Sequence, residues 1–76
     1  MIYVDKFGIE LKVEDFVCWV RGKNYLKIGK IIGFTKHGYP RVVEYYPFLK
    51  ITTKDEFAVL VKTTEILKIP KPEVKK

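Results

Sequence analysis

Leu26-Lys27-Ile28-Gly29-Lys30-Ile31-Ile32-Gly33-Phe34-Thr35 is the longest strand candidate of the chain, and its reading decides the fold. β-Branched and aromatic residues suit a pleated, half-buried surface. Gly29 and Gly33 lie four positions apart, so an unbroken strand projects both to the same face. Missing side chains on one face let a strand bend sharply, or let another backbone pack closely. A small sheet curls into a barrel in this way.

The flanking segments read as strands and turns. Downstream, Lys36-His37-Gly38-Tyr39-Pro40 carries the Gly and Pro of a hairpin connection. Arg41 to Tyr46 then pairs back, and Pro47 ends it because proline lacks an N–H and fixes φ. Upstream, Arg21-Gly22-Lys23-Asn24 is a loop by composition. Phe16 to Val20 is a continuous apolar run, a strand with both faces at least partly covered. Before it, Val13-Glu14-Asp15 turns the chain, Ile9 and Leu11 alternate with Glu10 and Lys12, and Asp5 to Gly8 is a turn. Phe48 to Glu56 reads as a longer polar connection with its tip at Thr52 to Asp55. Phe57 to Val61 is another apolar strand, Thr63-Thr64-Glu65 a single 3₁₀-type turn, and Ile66, Leu67 and Ile69 a short closing strand. Nothing reads as a long helix, and there is no internal repeat.

The expectation is therefore all-β: a small antiparallel five-stranded barrel with a short 3₁₀ turn before its last strand. An open three- or four-stranded sheet that dimerises is the alternative. Closure is preferred because it removes edges without a partner, so a monomer is expected. Residues 1–69 make the barrel, and residues 70–76 form a Pro/Lys tail expected to be disordered.

Seventy-six residues make one domain. A chain of this length buries only about 60% of its unfolded surface. Such domains more often bind something than enclose a deep catalytic pocket. Hydrophobic content of 47%, with five Phe, five Tyr and one Trp, suffices for one core. The lone Cys18 cannot form an intrachain disulfide, which fits a reducing, cytoplasmic interior. No metal site or cofactor is expected, because there is no Cys/His cluster and no phosphate-binding glycine motif. The N-terminus lacks a signal-peptide pattern and no apolar run is long enough for a membrane span, so no membrane association is expected.

Charge is the strongest functional signal. Fifteen Lys and Arg against nine Asp and Glu give +6. No acidic residue lies between Asp15 and Glu44, and that window holds Arg21, Lys23, Lys27, Lys30, Lys36 and Arg41. The rest of the chain is balanced, so the whole net charge comes from the window. Trp19, Tyr25, Phe34 and Tyr39 share it. Cations for phosphates and rings for bases are what a nucleic-acid surface needs. The alternative is a solvated lysine-rich surface.

Leu11-Lys12-Val13-Glu14-Asp15-Phe16-Val17-Cys18-Trp19 and Ile28-Gly29-Lys30-Ile31-Ile32-Gly33-Phe34 together resemble the KOW/Tudor-like pattern of SH3-like barrels. In that pattern a Gly-Asp turn leads into a hydrophobic strand, a loop, and a strand with Gly just before aliphatics. Asp15-x-Val17 and Gly29-x-Ile31 match it, whereas Glu14 stands where Gly is usual. Val59-Leu60-Val61 followed by Thr63 to Leu67 resembles the last strand, 3₁₀ turn and closing strand. The likeness spans residues 9–69 in layout and about half of them in motif. It implies binding to RNA, DNA, transcription proteins or peptides. Short basic versions are similar to bacteriophage accessory proteins that act on host nucleic acid or host machinery.

The expected nucleic-acid contacts are Arg21, Lys23, Tyr25 and Lys27 at the first loop, Lys30 on the long strand, and Lys36, Tyr39 and Arg41 around the second turn. DNA and RNA are not separable at this level. The second reading is a protein-binding module, or a phage-type effector that docks on a host protein through Tyr45, Tyr46 and Phe48. Tyr45 and Tyr46 point to opposite faces of a strand, so one of them leaves the core unless both faces are covered. A third reading is a structural subunit that self-associates through a strand edge. Trp19 reads as core and Cys18 as a buried or half-buried small residue. His37 has no nucleophile beside it, and the adjacent carboxylates Glu14-Asp15 and Asp55-Glu56 point apart. A catalytic role is not expected. The compartment expected is the cytoplasm, the host's if the chain is viral.

Overall fold

The long strand forms as β4 (Tyr25–Phe34), flanked on both sides by antiparallel partners, β3 (Phe16–Arg21) and β5 (Pro40–Tyr46). The computed structural model describes residues 2–23 and 25–72. The far edge of β5 is shared by two short strands. β6 (Ile51–Thr52) pairs with Tyr46 and Tyr45, and β7 (Val59–Leu60) pairs with Val42 and Arg41. β8 (Leu67–Ile69) returns antiparallel to β3 opposite Phe16, Val17 and Cys18. A separate ribbon joins β1 (Tyr3–Val4) to β2 (Glu10–Leu11). Among the described residues no helix is long and apolar enough to cross a membrane.

The protein is all-β and antiparallel, but five strands closed on themselves are not what forms. Among the described residues eight strands make two sheets, and the larger runs β6-β5-β4-β3-β8 with its two ends unpaired to each other. Local chain breaks explain the difference. A turn at Pro47–Lys50 and a 3₁₀ turn at Asp55–Phe57 interrupt what reads as one polar connection, and β6 forms between them. Phe57, expected in a strand, stands in that 3₁₀ turn, and β7 keeps only two residues. β8 is three residues long and pairs with β3. The 3₁₀ turn expected at Thr63–Glu65 stands directly before it. Of the tail expected over 70–76, residues 73–76 lie outside the described residues, and 70–72 adopt no regular structure.

Register settles which side chains share a face. Val17, Trp19, Ile31 and Val42 project to the inner face and join Leu11, Val61 and Ile66 in the main core, with Phe34 packed against it. Ile31, Val42 and Ile66 are completely buried. Each such side chain contributes about 1.5–3 kcal/mol relative to exposure. The outer face is also partly covered. Phe16 and Val43, both opposite Lys30, are buried there, and the Phe16 and Tyr45 rings meet edge-on at 5.5 Å.

A β-bulge separates the two glycines of β4. Ile31 pairs with Val42 but Gly33 pairs with Arg41, which leaves Ile32 as the extra residue. The bulge reverses the alternation, so Gly29 faces inward and Gly33 outward, not both to one side. Gly29 serves a close approach. A Cβ there would stand 2.5 Å from Val42 Cγ1, 2.5 Å from the Val43 carbonyl oxygen and 3.0 Å from Trp19 Cη2.

Two acidic residues hold the N-terminal segment. The Lys12 carbonyl accepts from the Asp15 N–H at 3.1 Å, closing a turn whose third residue, Glu14, has φ 81°. That is the position of a type II turn where glycine is favoured, near +80°. Asp5 is buried. Its Oδ1 accepts from the Phe7 and Ile9 N–H groups at 2.8 and 3.0 Å, and its Oδ2 from the Lys68 N–H at 2.9 Å. Burial alone would raise its pKa. The three backbone donors, with the Lys68 ammonium, outweigh burial and hold the carboxyl below its ordinary value. Asp5 therefore ties the first turn to β8.

Candidate nucleic-acid interface

The β3–β4 hairpin projects beyond its neighbours. β8 covers β3 only as far as Cys18, and the β4–β5 ladder begins at Gly29. The rungs Trp19↔Lys27, Val20↔Leu26 and Arg21↔Tyr25 therefore have no third strand beside them among the described residues. Gly22 makes the reversal at φ 68°, in the left-handed region that favours glycine. By alternation Trp19, Arg21, Tyr25 and Lys27 share the inner face, whereas the exposed Val20 and Leu26 lie on the outer face.

The inner face here is a groove. Trp19, only 7% exposed, forms its floor, and Arg21, Lys27, Glu44, Tyr46 and Phe57 line a hollow of about 380 Å³. It continues into a second hollow of about 410 Å³ bounded by Arg21, Gly22, Tyr25 and Lys27. Lys27 Nζ contacts Glu44 Oε1 at 2.8 Å, with both side chains about a third exposed. Glu44 is fixed in turn by Thr53, which accepts from the Glu44 N–H at 3.1 Å and donates its own N–H to the Glu44 carbonyl at 2.8 Å.

The six cations of the acid-free window do not converge on one face. Arg21 and Lys23 stand at the hairpin tip without an ion pair among the described residues, and Lys27 is nearby but neutralised by Glu44. Lys30 points to the outer face, where Glu14 Oε2 lies 3.4 Å from its ammonium. Arg41 also faces outward, opposite Leu60. Lys36 sits in the β4–β5 turn, at the far end of the ten-residue β4 from the hairpin tip. Tyr39 borders the same turn, where its N–H donates to Thr35 Oγ1 at 3.1 Å. The structure thus brings together Arg21, Lys23, Tyr25 and Lys27, and separates Lys30, Lys36, Tyr39 and Arg41 from them. The separation follows from the even–odd alternation of β4 and from its length.

The aromatic stretch divides as well. Tyr45, 6% exposed, is packed on Phe16, so it does not belong to an exposed patch. Tyr46 faces the groove, and Phe48 is fully exposed at the β5–β6 turn. Cys18 is half-buried, and burial pushes its thiol up. Among the described residues no group of three or more His, Cys, Asp or Glu could hold a metal ion.

Two groove residues were not singled out from sequence. Phe57 reads as one more apolar strand residue, although Asp55-Glu56 just before it is the acidic first turn of a short helix. Glu44 lies 17 positions from Lys27, and only the strand pairing reveals their contact. Comparison of the chain with protein-family models, with curated proteins and with solved structures finds no match.

Proposed function

We propose that this chain is a non-enzymatic nucleic-acid-binding domain of the SH3-like, KOW/Tudor-like barrel type, and that it binds through the inner side of the β3–β4 hairpin. The strand path supports the barrel reading. β3, β4 and β5 form a meander, β7 adds to β5, and a 3₁₀ turn leads to β8, which returns to β3. The observation that carries the binding reading is the hairpin tip. Two cations without ion pairs among the described residues, Arg21 and Lys23, stand there beside Tyr25, a ring 69% exposed. Capture is electrostatic, and Tyr25 adds ring contact.

Lys30 and Lys27 have carboxylate partners, so they add less field than the sequence count suggests. Lys36 and Arg41 act only at long range, which salt of physiological strength screens within about 8 Å. Two or three phosphate contacts then correspond to a slope of log affinity against log salt of roughly −1.4 to −2 for a single strand. Fluorescence anisotropy of labelled DNA and RNA across a salt series measures it. A flat salt response would remove the electrostatic reading.

One observation favours docking on a protein as a second reading. Phe48 and Leu49 are exposed side by side at the β5–β6 turn, an apolar tip that fits a host protein or transcription machinery as the partner of a phage-type effector. Binding of that kind survives salt and is lost in Phe48→Ala.

A further inference from the structure

We infer that the groove takes single-stranded nucleic acid, with bases stacked on Tyr25, Tyr46 and Phe57 and phosphates held by Arg21 and Lys23. This rests on the nucleic-acid reading above and adds the strand state and the base contacts.

The first support is where the rings stand. Tyr46 is 40% exposed and Phe57 65%, and both border the hollow that Arg21 and Lys27 join to Tyr25. Tyr46 and Lys27 line the same hollow, and Lys27 lies two residues from Tyr25 on the same face of β4. One extended strand can meet both rings. In a duplex the base faces are covered by their neighbours, so rings set in a groove gain nothing from it. Splayed bases of a single strand present those faces.

The second support is the distribution of charge across the groove. The interior holds the Lys27–Glu44 pair, which is neutral overall and keeps a carboxylate where a phosphate would enter. Arg21 and Lys23, which have no ion pair among the described residues, stand at the hairpin tip. Phosphates are therefore favoured at the tip and disfavoured inside, and bases are turned inward. A surface built for the outside of a duplex would present unpaired cations across its whole width.

The test is an anisotropy titration at low salt with four labelled probes of about twelve nucleotides, within the known range of site sizes. They are oligothymidylate, oligouridylate, a duplex, and an abasic phosphodiester strand. Tyr25→Leu, Phe57→Leu and Tyr25→Phe run alongside, each checked by urea unfolding. The single strands with bases are expected to bind tighter than both the duplex and the abasic strand. Each ring-to-Leu change is expected to weaken them on the order of 5- to 150-fold without altering the salt slope, and Tyr25→Phe to retain affinity. Equal or tighter binding of the duplex or abasic strand overturns the inference, as do ring variants that bind like the parent. Either result leaves electrostatic capture standing. Absence of binding by every probe removes the nucleic-acid reading itself.

Discussion

Replacing Gly29 by alanine adds one methyl group where there is no room for it. That Cβ would lie 2.5 Å from Val42 Cγ1 and from the Val43 carbonyl oxygen, and 3.0 Å from the Trp19 ring. Carbon atoms rest at about 3.5–4.0 Å, so the overlap is about 1 Å on two sides. Val42 is completely buried and has nowhere to turn. The Val43 oxygen belongs to the backbone, and the β4–β5 ladder holds it. The strands must separate, which places the cost near the top of the overpacking range, about 3 kcal/mol or more. A domain of this length has only about 4–11 kcal/mol in total. With a urea slope near 1 kcal/mol/M for so small a protein, the midpoint falls by about 3 M. Trp19 fluorescence reports the transition from the affected site. Gly33→Ala is the internal control. It meets nothing within 4 Å and lies on the other face, so it is expected to be neutral or to stabilise by up to about 1 kcal/mol. Equal midpoints for the two variants would refute the bulge-and-close-approach account.

Glu14→Gly places the favoured residue at φ 81°. Relief of about 1–2 kcal/mol of left-handed strain, less about 0.4–1 kcal/mol of unfolded-chain entropy, predicts a gain of roughly 0.5–1 kcal/mol in urea unfolding. The lost Lys30 contact matters little, because the Glu14 side chain is 70% exposed. Asp5→Asn puts an NH₂ group against backbone donors, a cost of about 1–3 kcal/mol at neutral pH. Because the Asp5 carboxyl titrates lower folded than unfolded, its contribution is full above the ordinary value of about 3.9 and is lost as pH falls through the folded value. Thermal melts from pH 7 to pH 2 should therefore show a shallower acid loss in the Asn variant than in the parent.

The long features were legible and the short ones were not. β3, β4 and β5 follow from apolar runs and turn residues spaced over six to ten positions, and the Thr63–Glu65 turn from its composition. β1, β6 and β7 have two residues each, too few to show a period. The bulge at Ile32 leaves no trace in a run of isoleucines, yet it reverses Gly33 and sets the face of everything after it. For the candidate site, the acid-free window marks Arg21, Lys23, Tyr25 and Lys27, which lie together on the β3–β4 hairpin. It overstated the patch because two carboxylates just outside it, Glu14 and Glu44, fold back onto Lys30 and Lys27. Linear charge counts miss such contacts because strand pairing joins residues far apart in sequence. Asp5 was read only as a turn former, since its third donor, the Lys68 N–H, lies 63 positions away.

The most direct test of the central proposal compares charge reversal at the two ends of β4. Arg21→Glu/Lys23→Glu alters the hairpin tip, and Lys36→Glu/Arg41→Glu removes the same charge elsewhere. Anisotropy titration of a labelled single strand at low salt is predicted to lose binding in the first variant and to stay within about threefold of the parent in the second, given screening over that distance. Equal losses would mean that net charge alone, and not the hairpin groove, attracts the ligand.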